Sequence, residues 1–251
     1  MPQFETQSAT YAGGRSYNED AVRHLTSNGH SCWMLADGLG GHGGGQEASK
    51  LATDAVAESF LQHAEASPAA LATYLEAARL AVVRKQEEDP QLLGMRTTLV
   101  LLVSDGAQAL WAHIGDSRLY YFRDGQLAAR TFDHSVPQAM VDAGQLKPSQ
   151  IRRHEDRNRL LRCLGGREEL RATIMEKPKP VQPGDAFLLC SDGFWEYVTE
   201  TAMEFDLLKS PTAAEWLFHM EVRLRTDLPE DCDNYSAVAI VARQAGEEGA
   251  K

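Results

Sequence analysis

Little in this chain points to a membrane, a polyanion or an oxidising compartment. No apolar stretch approaches the roughly 18 residues that a spanning helix needs. The leading Met1-Pro-Gln-Phe-Glu-Thr-Gln has neither a basic nor an apolar segment, so no secretory leader is expected. Cations are scarce: 25 Lys and Arg face 36 Asp and Glu, a formal net charge of −11. That balance argues against nucleic acid or an anionic bilayer as the main partner. The four cysteines, Cys32, Cys163, Cys190 and Cys232, are scattered with no Cys-x-x-Cys. Their spacing fits reduced cytosolic thiols and not a disulfide framework or a zinc site, so a cytoplasmic location is expected. There is no internal repeat, low-complexity segment or linker, and residues 1–251 read as one domain.

Several chemistries are missing too. A cysteine-nucleophile phosphatase needs Arg six positions after Cys, and here those positions hold Gly38, Glu169, Glu196 and Val238. Asp231-Cys-Asp233 follows polar Leu-Pro-Glu and not the apolar strand that an aspartyl-phosphate enzyme requires. No Gly-x-x-x-x-Gly-Lys or Gly-x-Ser-x-Gly occurs.

What is present suffices for a core: 43% hydrophobic residues and 24% charged. The chain is organised around Trp33 to Gly45. An apolar run ends in Asp37-Gly38, and Leu39 to Gly45 follow as a loop with five glycines before a helical pattern starts at Gln46. A carboxylate at the end of a buried strand needs a positive partner, and a glycine loop lets backbone approach a ligand closely. Phe4 to Tyr11 reads as a strand, and Val22 to Thr26 with Ser31 to Ala36 as a hairpin about Asn28-Gly29. Gln46 to His63 is an amphipathic helix, and Ser67-Pro68 starts a second. Thr97 to Phe122 and Gln126 to Thr131 read as a four-stranded antiparallel meander through tight turns at Asp105-Gly106, Gly115-Asp116-Ser117-Arg118 and Asp124-Gly125. Residues 133–169 lack strand alternation and read as an exposed excursion carrying the charge run Arg152 to Arg159. Strands at Arg171 to Glu176 and Ala186 to Cys190, helices near Glu200 to Leu208 and Ala213 to Arg225, and a closing strand Tyr235 to Ala242 complete the reading.

Asp-Gly ends an apolar strand at Asp37 and again at Asp192, Asp116 sits in a turn, and Asp233 precedes the last strand. Any one Asp-Gly is usually only a turn, as Asp105-Gly106 and Asp124-Gly125 are expected to be. Several carboxylates gathered at one sheet edge would raise one another's pKa unless a cation neutralised them, and all-oxygen ligands suit magnesium or manganese.

Eight blocks share an order with a known family: Arg15-Ser-Tyr-Asn-Glu-Asp20, Ala36-Asp-Gly-Leu-Gly-Gly-His42, Gly94-Met-Arg-Thr-Thr98, Gly115-Asp-Ser-Arg118, Asp133-His-Ser135, Leu161-Arg-Cys-Leu-Gly165, Ser191-Asp-Gly193 and Asp233-Asn234. In them the chain resembles the bacterial form of the type-2C, metal-dependent serine/threonine protein phosphatases. The resemblance implies an α+β fold, a four-layer α-β-β-α sandwich of two antiparallel sheets flanked by helix pairs, with a flap over roughly residues 133–169. It implies two core Mn2+ or Mg2+ ions: Asp37 bridges both, Asp192 and Asp233 complete the first, and the Gly38 carbonyl binds the second, with Glu19 and Asp20 near it. Asp116 would share a looser third ion with Asp192. Arg15 matches the phosphate-gripping arginine, and a metal-bridging hydroxide would attack phosphoserine or phosphothreonine directly. His42 is the candidate proton donor, although animal members place that histidine directly after Asp-Gly, where Leu39 stands here. Arg118 is expected to pair with a carboxylate of its own turn, Asp133-His134 to order the start of the excursion, and the cysteines to pack. The implied partners are phosphorylated proteins and a cognate bacterial Ser/Thr protein kinase, and a monomer is expected. The alternative is a non-catalytic, phosphoprotein-binding regulator of the same fold, which should have lost a metal aspartate or the phosphate arginine.

Overall fold

Burial on both faces explains why several strands are apolar along their whole length. In the computed structural model, which describes residues 2–40, 44–166 and 169–244, the strands are β1 (Gln3–Tyr11), β2 (Asp20–Ser27), β3 (His30–Leu39), β4 (Arg96–Thr97), β5 (Leu99–Ser104), β6 (Gln108–Ile114), β7 (Arg118–Arg123), β8 (Gln126–Arg130), β9 (Thr173–Ile174), β10 (Lys179–Pro180), β11 (Ala186–Cys190) and β12 (Tyr235–Arg243). The α-helices are α1 (Gly44–Gln62), α2 (Pro68–Glu88), α3 (Val136–Asp142), α4 (Asp192–Trp195), α5 (Glu200–Lys209) and α6 (Ala213–Asp227). On β3, Cys32, Met34 and Ala36 join the core under α1 and α2, while Trp33 and Leu35 point to the interior between the sheets. On β11, Leu188 and Cys190 meet the side of α5 and α6, while Phe187 and Leu189 enter the same interior. A strand covered on both faces has no room for polar alternation.

One sheet runs β1-β12-β11-β7-β8 and the other β10-β6-β5-β3-β2, with β4 and β9 pairing β3 and β6. Every strand pairing is antiparallel, and the expected α-β-β-α layering is present. The local signals also behave as expected. Asn28 and Gly29 take left-handed φ of 49° and 77° in the β2–β3 hairpin. Ser67 caps α2, its Oγ accepting from the Ala70 N–H at 3.1 Å, with Pro68 in the first turn.

Three expectations need correction. The meander does not exist: β5 pairs β6 and β7 pairs β8, but β6 and β7 lie in different sheets. Gly115-Asp116-Ser117 is therefore a crossing between sheets, with Gly115 at φ +103°. Both ends of this crossing are apolar strands whose remaining partners, β9, β10 and β11, come later in the chain. Next, the strand at 171–176 shrinks to Thr173–Ile174. Finally, the excursion is pinned and not merely solvated. Ile151 is buried, Arg152 pairs with Glu200 at 2.6 Å, and Arg157 pairs with Glu196 at 2.7 Å.

Candidate active site

Asp37 lies within β3, and the backbone around it is tied down by its neighbours. Its N–H donates to Thr98 Oγ1 at 2.9 Å. Its carbonyl accepts from the Thr98 N–H at 2.8 Å and from Thr97 Oγ1 at 2.9 Å. Thr98 Oγ1 in turn meets Ser117 Oγ at 2.7 Å, so the crossing that carries Asp116 is tied to the same point. The next residue, Gly38, must be glycine: a Cβ there would collide with the Gly45 carbonyl and lie 2.7 Å from the Glu19 carbonyl.

The other acidic residues reach this point from four elements. Asp20 stands opposite Asp37 in the β2–β3 register. Its Oδ2 accepts from Ser191 Oγ at 2.8 Å, while its buried Oδ1 has no partner. Asp192 begins α4 directly after β11, Asp233 precedes β12, and Asp116 is on the crossing with its side chain buried. The Glu19 carboxylate lies against Gly45 at the α1 N-terminus, which favours negative charge, while burial raises its pKa. Arg15 Nη2 pairs with Asp233 Oδ2 at 3.1 Å, and the arginine is exposed. Asn234 holds the Arg15 loop. Its Oδ1 accepts from the Glu19 N–H at 2.7 Å, and its Nδ2 donates to the Ala12 and Tyr17 carbonyls, both at 2.8 Å.

Arg15, Glu19, Asp37, Gly38, Asp116, Asp192 and Asp233 line an open cleft of about 810 Å³, and Asp20 is not among its walls. Asn158 reaches the same cleft from the excursion. Of the predicted site residues, only His42 lies outside the described residues. Arg118 departs from expectation: it forks onto Asp133 (2.7 and 2.6 Å) and not onto its own turn. Asp133 thus orders the root of the excursion, as expected. His134 Nδ1 accepts from the Gly115 N–H at 3.2 Å, and burial first, then His113 and Arg162, push its pKa down to about 3, so it stays a neutral acceptor.

Electrostatics make this cleft costly as it stands. Burial first, then neighbouring carboxylates, raise Asp192 to about 6. Burial also raises Asp20 to about 7, against the pull of the Ser236 and Ser191 hydrogen bonds. Asp37 and Asp116 are pushed well above the ordinary range by burial and then by the surrounding aspartates. Asp37 stays reachable from the cleft, but the protein around it replaces most of its water. Asp37 and Asp192 are close enough to hydrogen-bond when one is protonated. An orphaned buried oxygen on Asp20 and an all-oxygen donor set are what a hard divalent cation would satisfy, so the residues fit Mn2+ or Mg2+. Among the described residues, no three such groups already stand in ligating geometry. Asp233 leans towards Arg15 and would exchange that partner for a cation.

Two facing antiparallel sheets with paired outer helices form an α-β-β-α sandwich, and at the edge where they meet lies a carboxylate cleft whose oxygen donors suit a hard divalent cation. The protein phosphatase 2C family profile matches residues 12–228, and the chain belongs to that family. It is 35% identical over 221 residues to the serine/threonine protein phosphatase PstP of Mycobacterium tuberculosis, covering 86% of this chain and 41% of that protein. The chain therefore spans about two-fifths of that relative's length. It is also 34% identical over 184 residues to the serine/threonine phosphatase stp of Listeria welshimeri, covering 70% of this chain and 71% of that protein. Among solved structures, the M. tuberculosis phosphatase PstP/Ppp superposes with a TM-score of 0.84 at 30% identity, over 97% of this chain and all (100%) of that chain. The PstP catalytic domain in complex with two manganese ions superposes with a TM-score of 0.82 at 29% identity, over 97% of this chain and 100% of that one.

The sequence signals for Asn234, Thr97 and Thr98 were present in the matching blocks, but their roles were not. Neither Asn158 nor Trp195 was singled out, because an asparagine in a charge run and a tryptophan after Asp-Gly carry no chemistry of their own.

Proposed function

We propose that this chain is a metal-dependent protein serine/threonine phosphatase, acting as one catalytic domain. The observation that carries the proposal is the convergence of Asp37, Asp116, Asp192 and Asp233 beside exposed Arg15 in one open cleft. Asp37, Asp192 and Asp233 would hold one divalent cation. Asp37, the Gly38 carbonyl, Glu19 and Asp20 would hold or hydrate a second, and Asp116 with Asp192 a looser third. Bound there, Mn2+ or Mg2+ supplies Lewis acidity and an acidified water for attack on phosphorus.

The chain's own groups do the rest. Arg15 grips the phosphoryl oxygens by charge-assisted hydrogen bonds, for which its planar fork is suited. Asn234 keeps Arg15 and Glu19 in register through the three bonds above. Thr97 and Thr98 fix the Asp37 backbone, so the carboxylate is placed before substrate arrives. The relatives' names support phosphoserine and phosphothreonine on proteins as the substrate. The natural partners would be the products of a Ser/Thr protein kinase and that kinase itself. We read the chain as a cytoplasmic monomer, and no helix among the described residues is long and apolar enough to cross a membrane.

The test is turnover on phosphothreonine, phosphoserine and phosphotyrosine peptides with Mn2+ present. Multiple turnovers on the first two, with little on the third, support the proposal. Tight binding of phosphopeptide with no phosphate release would instead establish a regulator of the same fold.

A further inference from the structure

Asp116 lies on the sheet crossing, between the end of β6 at Ile114 and the start of β7 at Arg118, where no strand ladder restrains it. Its position depends on contacts from outside. Thr98 holds Ser117, His134 holds Gly115 through both its ring and its N–H, and the Asp116 carbonyl accepts the Trp195 indole N–H at 2.9 Å. A buried indole needs a partner, but this one's partner is the backbone of a carboxylate in the cleft.

Two guanidinium groups lie over the same indole ring. Arg118 sits 3.4 Å from its centroid and is neutralised by Asp133. Arg152, from the excursion, sits 5.7 Å away, pairs with Glu200 at 2.6 Å and donates to the Val198 carbonyl at 3.2 Å. Trp195 itself is three residues after Asp192 on α4. One buried side chain therefore touches the Asp116 turn, stands on the helix that carries Asp192, and supports the segment whose Asn158 lines the cleft.

We propose that Trp195 is a positioning residue that fixes the Asp116 turn and makes cation affinity there depend on the flap through Arg152. This rests on reading Asp116 as a cation-holding carboxylate. Its consequence is that a phosphoprotein pressing on the flap alters cation binding at Asp116, and a cation bound at Asp116 stiffens the flap, since such coupling is reciprocal.

Calorimetric titration of Mn2+ into the metal-stripped full chain tests this without relying on turnover. Benzothienyl-alanine at position 195 keeps the ring and volume but lacks the N–H, and Trp195→Phe provides a second variant. The weakest Mn2+ site should lose affinity about fivefold in either, the factor one net hydrogen bond is worth. Melting in EDTA should fall for the isosteric replacement only by what leaving the Asp116 carbonyl without its donor costs, with the unfolding transition still cooperative. Arg152→Gln should weaken the same site in the wild-type background but add little when Trp195 is replaced, a non-additive cycle. Unchanged Mn2+ affinity in the benzothienyl variant overturns the proposal, and strictly additive effects overturn the link through the ring. Asp116→Asn serves as the control. If it leaves every Mn2+ affinity unchanged, the reading of Asp116 has failed, and the inference falls with it.

Discussion

Asp192 carries two opposed energies, and one substitution separates them. It is buried among like charges, which raises its pKa to about 6 from the ordinary 3.8. A carboxyl group whose folded pKa is raised binds more protons in the native state. Metal-free stability therefore falls as pH rises between these values. Asp192→Asn removes that penalty. In EDTA the variant should melt higher than wild type, with no advantage near pH 4 and one growing to at most about 3 kcal/mol above pH 6. In saturating Mn2+ the order should reverse, because only wild type gains the binding energy of the cation. Thermal melts at several pH values, with and without Mn2+, check both signs. At Gly38 the limit is steric: Gly38→Ala drives a methyl group into the Gly45 and Glu19 carbonyls. It should lower the melting temperature and cut kcat together, as circular dichroism melts and phosphate release would show.

At the scale of elements, Asp37 and the Asp116 crossing are joined by one hydroxyl. Thr98→Val keeps the shape but leaves the Asp37 N–H and Ser117 Oγ without their shared partner. A loss of about 1–3 kcal/mol in urea unfolding is expected, together with a fall in kcat larger than the rise in KM. Ser67→Ala at the α2 cap should cost about 1 kcal/mol by the same assay and leave kcat unchanged, because that helix end is remote from the cleft. Elements of this kind were legible beforehand. Continuous apolar runs at β5 and β11 announced strands covered on both faces, and Asn28-Gly29 and Ser67-Pro68 announced their turn and cap. The β6–β7 connection was not legible. Gly-Asp-Ser-Arg suits a hairpin as well as a crossing, and what decides between them is which strands arrive later to pair. The pinned excursion was hidden for a related reason. Arg152 and Arg157 look like a solvated charge run until Glu200 and Glu196, more than thirty-five residues on, are placed beside them.

For the whole molecule, the two sheets act as a rigid frame whose edge collects carboxylates that would otherwise repel. The core between the sheets, with Trp33, Leu102, Tyr121, Phe187 and Ile240, holds that edge together. Phe187→Ala should destabilise by about 3–5 kcal/mol in denaturant unfolding, with activity lost only as the fold is lost. The resemblance carried by eight short blocks pointed to Asp37, Asp116, Asp192 and Asp233, which the structure gathers in one cleft, while the contacts that hold those acids in place became visible only in three dimensions. The measurement that bears most directly on the account is phosphate release from a phosphothreonine peptide after EDTA stripping and stepwise return of Mn2+, with Asp192→Asn alongside. Activity that is absent without metal, returns with it and stays at least about a thousandfold lower in the variant is the predicted result. Full activity in EDTA, or an Asp192→Asn protein as active as wild type, would contradict it.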